Sequence, residues 1–147
     1  MPNVTLTTDV IVGFSSETDA EFEDTMRVMQ DVEFDSAFSF KYSERKNTIA
    51  SKKFPDDISE DKKKERVMRL VELQKNISLK KNQAQIGRIE NLLIEEATGE
   101  NKETFSVGRT DGNKLVVLPK THHNVGDFLQ ARIIGATPNI LKGEILK

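Results

Sequence analysis

The stretch Thr7-Thr8-Asp9-Val10-Ile11-Val12-Gly13-Phe14-Ser15-Ser16-Glu17-Thr18 constrains the fold of this chain more than any other. A β-branched apolar run that breaks at a glycine and passes through small residues into a helix start is how a buried parallel strand delivers the chain to a binding loop. Thr18 and Glu21 stand at capping-box spacing, which predicts a helix from Asp19 with Phe22, Met26, Met29 and Val32 along its apolar face. A second strand, Ala37 to Tyr42, follows the short Glu33 to Ser36 connection. Strand, helix and strand in this order form a right-handed crossover joining parallel strands.

Two parallel strands and one helix cannot cover both faces of a sheet with near-continuous apolar strands. The unit is therefore expected to be the end of a larger parallel α/β domain, with loops 13–18 and 43–48 emerging at the carboxyl edge where ligands bind. Residues 43–58 read as a loop closed by Ser59 as a helix cap. From Glu60 to about Gln85 a long helix is predicted, striped by Val67, Leu70, Val71, Gln74, Ile77 and Leu79. Within it Lys62, Lys63 and Lys64, beside Asp61 and Glu65, are expected to form a solvated face.

After Gly87 the pattern changes to short β-rich segments: Arg88 to Glu95, Glu103 to Arg109, Leu115 to Leu118, Phe128 to Ile134 and Leu141 to Leu146. Turn residues separate them, and five short strands of this kind predict a small barrel of the oligonucleotide/oligosaccharide-binding type. The expected architecture is α/β followed by all-β, divided into residues 1–78 and 79–147.

Composition narrows the function classes. With 36% hydrophobic and 31% charged residues in 147, the chain is an ordinary globular one, not a disordered or fibrous one. The net charge of −2 argues against a strongly basic nucleic-acid-coating protein. It hides an asymmetry: residues 1–78 carry 12 Lys/Arg against 16 Asp/Glu, residues 79–147 carry 10 against 8. No apolar run approaches the roughly 20 residues of a membrane span, and no signal peptide opens the chain, so a cytoplasmic location is the expectation. Without cysteine the chain has no disulfide and no thiolate to bind a metal or an iron–sulfur cluster.

Four motifs taken together carry a resemblance. They are Asp9-Val-Ile-Val-Gly-Phe-Ser-Ser-Glu-Thr18, Phe40-Lys-Tyr-Ser-Glu-Arg-Lys-Asn-Thr48, Leu73-Gln with Ser78, and Gly108-Arg-Thr-Asp-Gly-Asn-Lys-Leu-Val-Val-Leu-Pro119. In this order they resemble the last third of the radical S-adenosylmethionine methylthiotransferases, most closely the MiaB type that modifies tRNA. The resemblance implies the final part of a radical (β/α) barrel, a long connecting helix and a TRAM barrel. It further implies methylthio transfer to C2 of an isopentenylated adenosine next to the anticodon, with S-adenosylmethionine and two four-iron four-sulfur clusters in the complete enzyme. The family's CxxxCxxC motif is not in this sequence, so the chain alone is expected to be inactive and to depend on missing N-terminal domains. Related members act on threonylcarbamoyladenosine or on a ribosomal protein, and a stand-alone RNA-binding module is the reading from another class.

Residue by residue, the resemblance implies cofactor contacts from Ile11, Gly13, Glu17, Ser43 and Arg45. Gly13 would let the backbone approach the adenosyl group and Ile11 would face the adenine. Glu17 lies at a helix start, where the helix dipole favours a carboxylate in any case. Ser15-Ser16 stands where many members have Pro-Gly. In the barrel half, Arg109, Thr110, Asn113 and Lys114 around a tight turn, with Lys120 beyond the next strand, make a cation-and-amide rim suited to RNA phosphates and base edges, here the tRNA anticodon stem-loop. The competing reading pairs Arg109 with a barrel carboxylate such as Asp111. Phe105 and Phe128 are expected in the core. His122 and His123 read as a solvated loop, because adjacent strand residues point to opposite faces and no other ligand set accompanies them. No catalytic or metal-binding residue is expected.

Overall fold

A computed structural model describes residues 4–97, 105–119 and 122–146. The elements in order are β1 (Thr7–Val12), α1 (Asp19–Val32), β2 (Ser36–Lys41), α2 (Ile49–Lys53), α3 (Glu60–Gln83), β3 (Ile89–Ala97), β4 (Phe105–Thr110), β5 (Leu115–Pro119), β6 (Phe128–Ala136) and β7 (Leu141–Ile145). They fall into two compact units, Leu6–Ile77, and Ser78–Lys147 with Met1–Thr5.

In the first unit β1 and β2 pair in parallel, Thr7 opposite Ser36 through Val12 opposite Lys41. Helix α1 starts where its capping box requires: the Glu21 N–H donates to Thr18 Oγ1 at 3.2 Å and the Thr18 N–H to Glu21 Oε2 at 2.8 Å. Strand alternation sends Val10 and Val12 into a core with Phe22, Met29 and Leu70, flanked by Met26, Phe34, Ala37, Val67 and Leu73. The other face of the sheet is open, with Ile11 60%, Phe38 66% and Phe40 49% exposed. Among the described residues the sheet consists of these two strands, so the larger (β/α) barrel expected from the sequence is not itself seen.

Three sequence expectations need correction here. The 43–58 tract contains a short helix, α2, capped by Thr48, whose Oγ1 accepts the Ser51 N–H at 3.1 Å. Lys63 is no part of a solvated face: it is 1% exposed, and Arg66 is 2% exposed. Lys63, Arg66, Leu70, Gln74 and Ile77 are all buried and recur at spacings of three and four, so the inward stripe of α3 begins with two cations. Val71, expected in the stripe, is half exposed.

In the second unit the strands close in the order β3-β4-β5-β7-β6, with β6 returning to β3. All neighbours are antiparallel except β5 and β7. This is the five-stranded order of the oligonucleotide-binding barrel. Leu92, Ile94, Val116, Leu118, Leu129, Ala131, Ile133 and Leu141 fill the interior. Register shifts between Ile94 and Glu96 and between Ile133 and Gly135 bend the strands toward closure. At Gly143 a Cβ would lie 2.7 Å from Leu118 Cδ2 and 2.8 Å from Val116 Cγ1, so the inner face of β7 needs a residue without a side chain there.

Candidate functional site

Three polar contacts set the loop after β1. Gly13 takes φ +76°, and its N–H donates to Glu17 Oε2 at 3.0 Å. The Glu17 N–H closes a turn on the Phe14 carbonyl at 2.9 Å. Ser16, third residue of that turn, has φ +65°, the left-handed conformation a type II turn demands where Pro-Gly would be favoured. Asp57 holds it there, accepting the Ser16 N–H at 2.7 Å and its hydroxyl at 3.1 Å. The Ser16 N–H in turn keeps the Asp57 carboxyl below its ordinary value. Ser15-Ser16 thus reaches a Pro-Gly-like geometry through a carboxylate clamp.

Beneath the loop lie the two buried cations. Arg66 donates to Glu17 Oε1 at 2.6 Å, to the Glu17 carbonyl at 3.1 Å and to Asp19 Oδ1 at 2.8 Å. Both Glu17 oxygens are therefore engaged in holding the loop. Lys63 meets Asp56 at 2.5 Å and Glu60 at 3.4 Å, and its ammonium lies 5.5 Å from the centre of the Tyr42 ring. Burial alone would lower the Lys63 pKa, but the Asp56 and Glu60 carboxylates outweigh it and raise the value. A Cβ on Gly13 would lie 2.5 Å from Lys63 Cγ, so the glycine is required by its own φ and by α3 beneath it. Lys63, Arg66, Asp56 and Asp57 escaped sequence reasoning; extending the helical stripe two steps back from Leu70 would have found the first two.

Ile11, Ser43 and Arg45 are exposed at the same unit's carboxyl edge. The Arg45 carbonyl accepts the Thr48 hydroxyl at 2.9 Å, while its guanidinium has no partner among the described residues. The edge therefore offers an apolar side chain, a hydroxyl and a cation, around a loop whose Gly13 and Glu17 are occupied internally.

In the barrel, the β4–β5 turn brings four expected residues together. The Arg109 Nε–H donates to Glu95 Oε1 at 2.6 Å, and its Nη1 donates to Asn113 Oδ1 at 2.9 Å. The partner carboxylate is thus Glu95 on β3, not Asp111. Arg109 holds the Glu95 carboxyl below its ordinary value, and that carboxylate in turn raises the guanidinium. Asn113 supplies the left-handed residue with φ +62°, and Thr110 Oγ1 accepts the Lys114 N–H at 3.1 Å. Lys114 Nζ donates to Asn82 Oδ1 at 2.9 Å, and Asn82 binds the Thr137 and Pro138 carbonyls at 2.9 and 3.1 Å. Lys120 lies outside the described residues. His122 and His123 are exposed, with His123 Nδ1 3.9 Å from Asp127 Oδ2. No group of three or more potential metal ligands exists among the described residues. No helix among them is long and apolar enough to cross a membrane.

The expectation that Phe105 and Phe128 are core residues is overturned. Both point outward from the barrel, and Phe128 is 71% exposed. Strand alternation assigns Leu129 and Ala131, not Phe128, to the interior.

A closed five-stranded barrel of this order, with cations and amides gathered at its β4–β5 turn, belongs to the oligonucleotide/oligosaccharide-binding class of architecture. Residues 83–146 match the TRAM domain family. Nearly the whole chain is similar to enzymes named tRNA-2-methylthio-N6-dimethylallyladenosine synthase. It is 46% identical over 144 residues to that of Clostridium botulinum strain Langeland, covering 98% of this chain and 32% of the relative. Against the Desulforamulus reducens protein identity is 42% over 146 residues, covering 99% and 31%. With the Phocaeicola vulgatus protein it is 38% over 144 residues, covering 98% and 31%. The chain spans about a third of the length of these relatives.

Proposed function

We propose that this chain is the C-terminal portion of a tRNA-2-methylthio-N6-dimethylallyladenosine synthase. The observation that carries the proposal is sequence identity running through both units, strand-end loop and TRAM domain alike. In this reading residues 1–78 complete a radical (β/α) barrel with its linking helix, and residues 79–147 bind RNA. The open face around Ile11, Phe38 and Phe40 is what a strand pair bordering a barrel interior would present. Ile11, Ser43 and Arg45 would contact S-adenosylmethionine, while Gly13 and Glu17 hold the loop that faces it. That cofactor would supply the methyl part of the methylthio group transferred, in the cytoplasm, to C2 of an isopentenylated adenosine beside the anticodon. The clusters do not fit this chain, which lacks any thiolate, so in this reading their ligands would come from the part of the relatives' length that the chain does not span.

For the RNA-binding half, Arg109, Thr110, Asn113, Lys114 and Lys120 would meet the tRNA anticodon stem-loop. Replacing Arg109 and Lys114 together by Ala should weaken tRNA binding and reduce the salt slope by about one to two units, one for each phosphate lost. Because both side chains are tied to Glu95, Asn113 and Asn82, the double variant should also melt at a lower temperature. Glu95→Gln provides the control, since it loosens the same network and keeps both cations. If the double variant loses stability with an unchanged salt slope, and Glu95→Gln behaves alike, the RNA-contact assignment falls.

A further inference from the structure

On the outer wall of the barrel an open groove of about 640 Å³ is lined by Asn91, Asp111, His123, Phe128, Gln130 and Leu146, together with Leu129. None of these residues belongs to the cation-and-amide rim expected from the sequence. We propose that this groove binds one unpaired RNA nucleobase, stacked on the Phe128 ring and read by the Asn91 and Gln130 amides. The proposal rests on the RNA-binding reading of the TRAM domain and deepens it by naming where a base is held.

Four observations support it. First, Phe128 is 71% exposed yet sits on a strand opposite Leu93 of β3, so its backbone is held in a barrel wall and the ring is presented with little ordering cost. Second, the next outward pair along the same two strands is Asn91 opposite Gln130, joined by one hydrogen bond of 3.0 Å from Gln130 Nε2 to Asn91 Oδ1. That bond leaves one amide carbonyl and one NH2 group facing outward, and flipping both amides leaves the same pair of functions. A donor beside an acceptor is what a base edge needs. Third, the described residues that line the groove include no Lys or Arg and do include the Asp111 carboxylate, so they disfavour a phosphate and suit the neutral part of a nucleotide. Fourth, Phe128 on β6, Leu93 on β3 and Arg109 on β4 lie side by side across the outer face. Two strand spacings, about 10 Å, therefore separate the ring from the rim cation, which places base and phosphate sites within one nucleotide's reach.

The test uses the full chain and two probes at low salt: a fluorescein-labelled single-stranded oligoadenylate of eight nucleotides, and a fully paired RNA duplex of equal length. Phe128→Leu keeps the apolar bulk and removes the ring, and should weaken single-strand binding about tenfold or more. Its effect on the duplex, which has no unstacked base, should stay under about twofold. Phe128→Trp should bind the single strand at least as tightly as the natural chain, and Asn91→Ala with Gln130→Ala should weaken it several-fold. Melting curves of all variants establish that the fold is kept, and the Trp variant keeps the test valid should the Leu variant be unstable. Absence of binding to either probe by the natural chain overturns both this proposal and the RNA-binding reading. Binding that all Phe128 variants retain, or lose equally for both probes, overturns the stacking site alone and leaves the reading of the rim standing.

Discussion

Gly13 shows how a single residue can answer to two constraints at once. Its φ of +76° is one that an L-residue adopts at a cost of roughly 1–2 kcal/mol, and the Lys63 stem fills the space a methyl group would take. Gly13→Ala should therefore destabilise the first unit by about 2–4 kcal/mol, adding overpacking to strain, as read by denaturant unfolding. A loss below about 0.5 kcal/mol would mean that Lys63 swings away freely. At the same scale, Arg66 is a buried cation whose charge is balanced by Glu17 and Asp19. Such a pair adds little net stability over an apolar isostere, yet removing one partner strands the other. Its use here is positional: it orients Glu17, and Glu17 holds the Gly13 N–H.

Helix α1 begins at one place because two backbone donors are satisfied reciprocally by Thr18 and Glu21. The Glu21 carboxyl is held below its ordinary value, first by the Thr18 N–H and then by its hydroxyl. Thr18→Ala removes the acceptor for the Glu21 N–H and should cost about 1 kcal/mol, measured by urea unfolding of the whole chain. No measurable change would show that the tertiary contacts of Phe22 and Met29 position the helix unaided. Helix α3 behaves differently. Its inward stripe starts with Lys63 and Arg66, so its first turns are fixed by ion pairs with the loops, and its middle by Leu70 and the Gln74 bond to the Phe34 carbonyl at 2.9 Å.

Across the whole molecule, carboxylates with lowered pKa values dominate the dependence on acid. Asp19 is lowered by Arg66 and Lys62, Asp57 by the Ser16 N–H, Glu60 by Lys41, and Glu95 by Arg109. Their ordinary values are 3.8 for the aspartates and 4.5 for the glutamates. Between the lowered and the ordinary value the unfolded chain binds more protons than the folded one, so stability is present above the ordinary value and is lost as pH falls below it. The melting temperature should hold level near neutrality and decline below about pH 4.5, with a shallower decline in Glu95→Gln. A melting temperature that rises on acidification would contradict these assignments. Lys62 and Lys63, raised above 10.5, act at the other end: their contribution is intact below that value and is lost as pH climbs through the folded one.

Features that depend on neighbours a few residues apart are legible in the chain's local pattern. Capping chemistry places the start of α1 at Asp19, alternation and turn residues place the five barrel strands within a few residues, and the motifs point to a TRAM module. Local pattern could not say that the inward stripe of α3, extended back from Leu70, would bury cations at Lys63 and Arg66, because only Asp56, Glu17 and Asp19, brought there by the fold, balance their charge. Nor could it pair Arg109 with Glu95, fourteen residues away on the neighbouring strand, in preference to Asp111 two residues on. Phe128 was misplaced for a related reason: hydrophobicity favours burial, but the register of β6 against β3 and β7 had already assigned Leu129, Ala131 and Ile133 to the interior. A strand has only two faces, and the closure of the barrel decided which of them received the ring.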